Sequence, residues 1–195
     1  SIVTVEQAMA KKSFLGEPLV VNTGDADKAI NKAKNKLNGR ITIGGQEHYY
    51  LEGQVALAMP TEDNEMIVHS STQNPTEVQH LVAHVLGTSH NAIEVVTRRM
   101  GGGFGGKETD SSQLACVCAL FAQLCSLPVK ARLSRRDDIL MTGKRHDFVA
   151  DYEVGYSDDG KIQGIKIDLA ARCGYSLDLS KAIVSRALFH ADNAY

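Results

Sequence analysis

The sequence predicts an α+β fold in which mixed and antiparallel strands and hairpins pack with helices. Residues 74–87 (NPTEVQHLVAHVLG) have apolar side chains at helical spacing and lie between short strand-like segments. Residues 148–169 alternate between apolar and polar side chains around an Asp159-Gly160 turn, which is typical of a β-hairpin. Because hairpin strands and helices are mixed along one chain, we expect the α+β class.

Composition limits the class of function. The chain has 195 residues, of which 43% are hydrophobic and 23% charged, with a net charge of −2. These values are typical of a globular protein and argue against nucleic-acid or anionic-membrane partners, which need a basic surface. No apolar run reaches the ~18 residues of a membrane span, and no signal-peptide pattern is present. We expect cytoplasmic localisation, with Cys116, Cys118, Cys125 and Cys173 as small buried thiols.

The first half of the chain contains two helical patterns and three strand patterns. Residues 1–24 have a short helical pattern and are interpreted as a tail or linker. Residues 25–37 predict a surface helix with a stripe of Ala26, Ile30, Ala33 and Leu37. Strands are predicted at 40–43, 53–59 and 65–70. Helix 74–87 has a cap at Asn74, a proline at its first position, an acid at Glu77 and a stop at Gly87, with a predicted buried stripe of Val78, Leu81, Val82, Val85 and Leu86.

The second half alternates strands with helices and ends in the hairpin and a helix. IEVVT (93–97) predicts a strand that leads into the glycine-rich segment. Residues 109–127 have no charge after Asp110, so we expect a helix that is buried on most sides and ends before Pro128. Further predictions are a strand at 129–133, a short helix near 135–142, the hairpin, and a helix over 179–189 capped by Asp178 or Ser180.

The glycine-rich segment, RRMGGGFGGKE (98–108), joins a predicted strand to a predicted helix, and this arrangement offers backbone N–H groups to an anion. Gly101, Gly103 and Gly106 match the dinucleotide pattern G-x-G-x-x-G, but the next strand ends in a serine and arginines instead of the ribose-binding acid. Gly101, Gly106 and Lys107 match the triphosphate-binding loop, but Glu108 replaces the magnesium-binding hydroxyl. The match to G-x-G-x-x-G leaves a nucleotide-binding module as an alternative.

Longer motifs resemble one protein family. RRMGGGFGGKE, STQN (71–74) and SRALFHADNAY (185–195) resemble the molybdenum-cofactor (molybdopterin)-binding domain of the xanthine dehydrogenases, in the xanthine oxidase family of molybdenum hydroxylases. The resemblance continues through GGQEHYYLE (44–52) and RHDFVADYEVGY (145–156). It implies that residues 1–24 end a preceding α/β hammerhead domain. Residues 25–195 are then the first, truncated part of the cofactor-binding domain.

The resemblance assigns roles to seven residues. Gln73, Gly103, Phe104 and Gly105 match cofactor-binding positions, and the metal itself is held through the pterin dithiolene and not by this chain. Glu108 and Arg186 match the residues that bind and orient a purine, and Leu179 matches a pocket leucine. Related aldehyde oxidases have apolar residues at the positions of Glu108 and Arg186.

The function implied by the resemblance is an oxidoreductase that hydroxylates hypoxanthine and xanthine to urate at a molybdenum centre and passes electrons to NAD. Iron–sulfur and FAD domains or subunits are expected partners in an oligomeric parent. The general-base glutamate is expected in another part of that parent, so we expect the chain alone to be inactive. An alternative is another molybdenum hydroxylase that acts on an aldehyde or an N-heterocycle.

A zinc site is not expected at His80 and His84. Their i, i+4 spacing matches H-E-x-x-H, but Leu81 stands where the glutamate should be. Both histidines lie on the predicted helix away from its apolar stripe, so we interpret this face as solvated.

Overall fold

The computed structural model describes residues 2–191 as two compact units, and its class is α+β as predicted. The terminal unit comprises Ser1–Gln46 and His146–Tyr195, and the central unit comprises Glu47–Arg145. The domain boundary at residue 24 stays a prediction. No helix within residues 2–191 has the length and apolar character needed to cross a bilayer.

The helices are α1 (Val5–Ala10), α2 (Ala26–Lys32), α3 (Pro75–Leu86), α4 (Ser111–Cys125), α5 (Arg135–Met141) and α6 (Ser180–Phe189). The strands are β1 (Asn35–Ile43), β2 (Val55–Pro60), β3 (Met66–Ser70), β4 (Ile93–Val96), β5 (Val129–Arg132), β6 (Phe148–Tyr156) and β7 (Ile162–Ala171). Single 3-10 turns lie at Glu62–Asn64 and His90–Ala92.

The central unit is a four-stranded mixed sheet covered by α3 and α4. Its strand order is β4-β3-β2-β5, with β3 and β4 parallel and the other pairs antiparallel. The predicted start and stop of α3 are confirmed: the Asn74 side chain accepts a hydrogen bond from Glu77 N at 3.2 Å, and Gly87 ends the helix at φ 66°. These signals were predictable because each acts within one helical turn.

The buried face of α3 differs from the predicted stripe. Val78, Val82 and Ala83 are fully buried, whereas Leu81 and Val85 are exposed. Because α3 packs against α4 on one side and β4 on the other, the inward direction is set by these two neighbours. Hydrophobicity alone does not reveal that direction.

Helix α4 is buried on one face only, so the prediction of burial on most sides is wrong. The buried face consists of the small residues Ser111, Ser112, Ala115, Cys118, Ala119 and Ala122. These let α4 lie close against β2 and α3. The larger apolar residues Val117, Phe121 and Leu124 point away from the sheet and are exposed.

The terminal unit is an antiparallel sheet of order β1-β6-β7. The hairpin is confirmed, with Gly160 at φ 81° in its turn. The helix predicted over 25–37 is too long, because α2 ends at Lys32 and Asn35 already pairs with Tyr156. Leu37 therefore lies on a strand, opposite Val154, and pairing with a distant strand overrides the local helical spacing.

The cap predicted for α6 is also wrong. Leu179 occupies the N-cap position and makes no side-chain capping bond, while Asp178 precedes it at φ 38°. Ser180 is buried, and its hydroxyl lies 2.8 Å from His146 Nε2. This contact between side chains far apart in sequence fixes the start of α6 in place of a local cap.

Candidate functional site

Gln73 is joined to the glycine-rich loop by three hydrogen bonds. Its Oε1 accepts from Gly105 N at 2.9 Å and from Lys107 N at 3.2 Å. Its own backbone N–H donates to Lys107 O at 2.8 Å. Within the described residues Gln73 Nε2 donates no hydrogen bond, and the side chain is exposed. The amide therefore presents a neutral N–H donor group beside the loop.

Three glycines of the loop lie where neighbouring side chains leave no space for a Cβ. A Cβ at Gly103 would be 2.5 Å from Gln73 Oε1, and one at Gly106 would be 2.7 Å from the His48 ring. A Cβ at Gly101 would be 2.6 Å from Glu52 Cβ. Close packing thus accounts for glycine at these positions.

Phe104 is the exposed tip of the loop. Its backbone is left-handed, at φ 55°, and 74% of the residue is exposed. The helix predicted after the loop, over 109–127, begins at Ser111 in the structure, beyond Lys107. The donors at this site are therefore the loop amides and Gln73. None of the loop glycines belongs to the first turn of α4.

Lys107 is fully buried beneath the loop. Its Nζ donates to Ser71 Oγ at 2.8 Å and to Glu52 Oε2 at 3.1 Å, and lies 4.6 Å from the Tyr50 ring centroid. Burial lowers the pKa of Lys107, and the contact with Glu52 acts in the opposite direction. The sequence did not predict the burial of Lys107, because a lysine beside glycines is ordinarily exposed. Its only appearance in the sequence interpretation is the triphosphate-binding loop, which was rejected.

One carboxylate oxygen of Glu52 accepts hydrogen bonds from both ends of the loop. Its Oε2 accepts from Gly101 N at 3.1 Å as well as from Ser71 and Lys107. Burial acts to raise the pKa of Glu52, but these hydrogen bonds outweigh burial and leave its pKa below the usual value. Glu52 is therefore a carboxylate at neutral pH and forms an ion pair with Lys107.

A second buried group lies below this ion pair. The Tyr50 hydroxyl donates to Asp138 Oδ1 at 2.6 Å, and Asp138 Oδ2 accepts from Gln54 N at 2.7 Å. Gln54 Nε2 donates to Gly106 O at 3.0 Å. Burial, together with the hydrogen bond to Asp138, raises the pKa of Tyr50 to about 12. The loop thus contacts a set of buried polar groups, among which the Tyr50 hydroxyl stays protonated at neutral pH.

The remaining predicted site residues divide between the two units. Glu108, in the central unit, is half-buried, and its carboxylate makes no side-chain hydrogen bond or ion pair within the described residues. Leu179 and Arg186 lie on or beside α6 in the terminal unit. Arg186 is exposed and has no ion pair in the described part of the chain. The structure brings Gln73, Gly103, Phe104, Gly105 and Glu108 together in the central unit.

One histidine of α3, His80, makes a ring contact outside its own helix. The His80 ring stacks on His90 with centroids 4.2 Å apart. Over residues 2–191, no group of three or more His, Cys, Asp or Glu side chains has an arrangement suited to a metal ion.

Comparison with known proteins identifies relatives over the whole chain. A family model described as molybdopterin cofactor-binding domain matches residues 9–195. The xanthine dehydrogenase/oxidase of Felis catus is 44% identical over 196 residues and the xanthine dehydrogenase of Emericella nidulans is 44% identical over 195. Each alignment covers 100% of this chain but 15% and 14%, respectively, of the relative.

Solved structures share the fold at lower identity. The aldehyde oxidoreductase of Desulfovibrio gigas is 23% identical with a TM-score of 0.69, covering 76% of this chain and 16% of that one. Quinoline 2-oxidoreductase of Pseudomonas putida 86 is 19% identical with a TM-score of 0.66, covering 74% of this chain and 18% of that one. At these identities the likeness establishes the fold alone.

Proposed function

The chain belongs to the molybdopterin cofactor-binding domain family, and from that premise we propose that it is part of the cofactor-binding region of a xanthine dehydrogenase. In this proposal the parent hydroxylates hypoxanthine and xanthine to urate. Its electrons leave through iron–sulfur clusters and FAD to NAD. The identity of 44% to two such enzymes along the full chain supports the assignment.

The arrangement around Gln73 fits the anionic cofactor. Its Oε1 is fixed by two loop amides, so its Nε2 group points away from the loop as a donor with no partner among the described residues. A neutral amide held in this way stabilises an anionic centre without adding charge. This orientation is the observation that carries the proposal. When bound, the molybdenum cofactor supplies the oxidising centre and the oxygen-transfer chemistry.

Gly103, Phe104 and Gly105 are proposed to complete the cofactor site: the backbone at Phe104 and Gly105 faces the cofactor, and Gly103 takes part through its contact with Gln73. Gly103 is packed against Gln73, whereas Phe104 and Gly105 are exposed. Phe104 is held in a conformation that non-glycine residues seldom adopt, and such strain is concentrated at binding sites.

Glu108 and Arg186 are proposed to bind and orient the purine. The Glu108 carboxylate accepts a hydrogen bond from a purine N–H, and the Arg186 guanidinium stabilises negative charge that develops on the ring during hydroxylation. Leu179 contributes to the pocket. Neither Glu108 nor Arg186 forms an ion pair with another residue among 2–191, so both charges can interact with a substrate.

The alternative of a nucleotide-binding module is disfavoured by packing. The dinucleotide pattern requires open backbone at its glycines, but Gly103 is covered by Gln73 and Gly106 by His48. The helix also begins later than that pattern requires, at Ser111. A molybdenum hydroxylase specific for an aldehyde or another N-heterocycle is the second candidate, and Glu108 and Arg186 argue against it.

The wider context of the parent belongs to the same proposal. Iron–sulfur and FAD domains or subunits, an oligomeric parent and a cytoplasmic location follow from the assignment. The four unpaired cysteines support a reducing compartment, although Cys118 alone among them is buried and the expectation of four buried thiols is wrong.

The test is the double variant Glu108→Val/Arg186→Met in the parent enzyme. We expect xanthine turnover to fall by at least ~10²-fold while aldehyde turnover is retained or rises, because removal of both polar partners eliminates recognition of a polar substrate. A matched control is Glu94→Val/Lys181→Met, which removes an exposed acid on β4 and an exposed lysine on α6. Near-normal xanthine turnover in the Glu108/Arg186 variant contradicts the substrate assignment.

A further inference from the structure

We infer that the ion pair between buried Lys107 and partly exposed Glu52 is a positioning device that sets where Gln73 meets the cofactor and where Glu108 meets the substrate. The inference rests on the proposed function for the roles of Gln73 and Glu108. It concerns two residues to which the sequence interpretation gave no role. Lys107 is fully buried, so it acts through its neighbours and not by touching the substrate.

The backbone of Lys107 holds Gln73 from both sides. Its N–H donates to Gln73 Oε1 at 3.2 Å, and its carbonyl accepts from Gln73 N at 2.8 Å. The same carbonyl accepts from the Thr72 hydroxyl at 3.1 Å. A displacement of the Lys107 backbone therefore moves the carboxamide of Gln73, and it moves Glu108 through one peptide bond.

The side chain of Lys107 determines where that backbone can lie. Its ammonium is fully buried and is stabilised by Ser71 Oγ, Glu52 Oε2 and the face of Tyr50. A buried charge is strongly disfavoured unless it keeps its partners. The loop therefore cannot shift at Lys107 without separating the ammonium from these three groups. A run rich in glycine has no comparable restraint of its own.

Glu52 restrains the other end of the loop. The oxygen that pairs with Lys107 also accepts from Gly101 N at 3.1 Å, and Glu52 N donates to Gly101 O at 3.1 Å. Both ends of the segment from Gly101 to Lys107 are thus held by one carboxylate. The exposed tip at Phe104 lies between these two anchors.

The experiment uses Lys107→Met, Lys107→Arg, Glu52→Gln and the double variant Glu52→Gln/Lys107→Met in the full-length parent. The control is Lys34→Met, which makes the same change in an exposed ion pair with Asp158. Glutamine keeps a side-chain oxygen that can accept from Lys107 Nζ, so Glu52→Gln gives an interpretable variant if Lys107→Met does not fold. Three quantities are measured: molybdenum per chain, the rate of enzyme reduction by substrate per molybdenum, and amide hydrogen exchange of the peptide containing residues 101–108.

The expected result is a loss of about 10- to 100-fold in the reduction rate per molybdenum for Lys107→Met, because a displacement near 1 Å is enough for such a loss. Exchange at the Gly105 and Lys107 amides should accelerate, since their bonds to Gln73 open more often. Lys107→Arg and the double variant should each recover part of the rate. Arg keeps the charge, and the double variant leaves no unpaired charge. Lys34→Met should match the wild type.

A purely structural role predicts a different result, and that result overturns the inference. Thermal stability and molybdenum content would then fall, while the rate per remaining molybdenum and the exchange of residues 101–108 stay within about twofold of the wild type. If the wild-type parent oxidises an aldehyde and not xanthine, the proposed function fails. The Lys107 variants are then judged by the aldehyde rate and by hydrogen exchange, so the two failures remain distinguishable.

Discussion

Gly103 and Gln73 are packed so closely that position 103 accepts no other side chain without displacement of the amide. A Cβ at Gly103 would lie 2.5 Å from Gln73 Oε1 and 2.7 Å from its Cδ, well inside van der Waals distance. Gly103 does not need a left-handed backbone, so the requirement for glycine comes from this contact alone. A single methyl group is therefore a direct probe of the position of Gln73.

We predict that Gly103→Ala in the parent enzyme lowers turnover per molybdenum by about tenfold or more, because the Gln73 amide is displaced from its bonds to Gly105 and Lys107. The change in stability should be small, because the added methyl group meets an exposed side chain that can move aside. Steady-state kinetics, metal analysis and denaturant unfolding measure these effects. Gly44→Ala is the matched control, since a Cβ there meets nothing within 4 Å. Equal turnover in the two variants would contradict the proposed role of this contact.

Residues differ in how far the sequence predicts their environment. Gln73 and Glu108 were proposed as site residues because each belongs to a motif of the family resemblance. Lys107 belongs to the same motif, but its burial arises from Glu52, Ser71 and Tyr50, which lie 36 to 57 positions earlier in the chain. No local pattern of charge or hydrophobicity encodes such contacts, so the ion pair became visible in the folded structure alone.

At the scale of elements, α2 lies against two glycines of the hairpin. Gly155 of β6 and Gly164 of β7 are direct partners in the strand register. A Cβ at Gly164 would lie 2.8 Å from Ala29 Cβ, and one at Gly155 would lie 2.8 Å from Ile30 Cα. The absence of side chains at both positions allows the helix backbone to approach the sheet.

We predict that Gly164→Ala destabilises the protein by about 1–3 kcal/mol, because the added methyl group also meets the backbone oxygen of Ala26 at 3.1 Å and the helix must move away. Denaturant unfolding of the parent enzyme measures the change. Gly16→Ala is the control, with nothing within 4 Å of the added methyl group. A midpoint for Gly164→Ala equal to that of the control would show that α2 does not depend on this close approach.

The elements that the sequence predicted well are those whose signals are local. The start and stop of α3 and the turn of the β6–β7 hairpin depend on side chains and glycines within a few positions. The end of α2 was missed because β1 pairs with β6 across 121 positions at Asn35 and Tyr156. The exposed face of α4 was missed because its composition is apolar on both sides, and packing decides which side is buried.

At the scale of the whole molecule, α4 exposes large apolar side chains. Val117, Phe121 and Leu124 are 49%, 52% and 71% exposed, respectively, and all point away from the small residues that pack on the sheet. Apolar groups that cluster on a surface are typical of an interface. The curated relatives are far longer than this chain, which spans 14–15% of their length.

The final prediction is that residues 1–195 alone neither retain the molybdenum cofactor nor oxidise xanthine. The proposed cofactor contacts in this chain are the Gln73 amide and the loop at Gly103 to Gly105. Each missing charge-assisted hydrogen bond costs on the order of 1.5–3 kcal/mol, so a partial set of contacts lowers affinity steeply. A missing general base lowers the rate by a further ~10²–10⁴-fold.

The chain and its parent are expressed in the same cofactor-producing host, and molybdenum per chain and urate formation are measured. Near-stoichiometric molybdenum in the isolated chain would show that these contacts suffice for binding, and urate formation would show that the essential base lies within these residues.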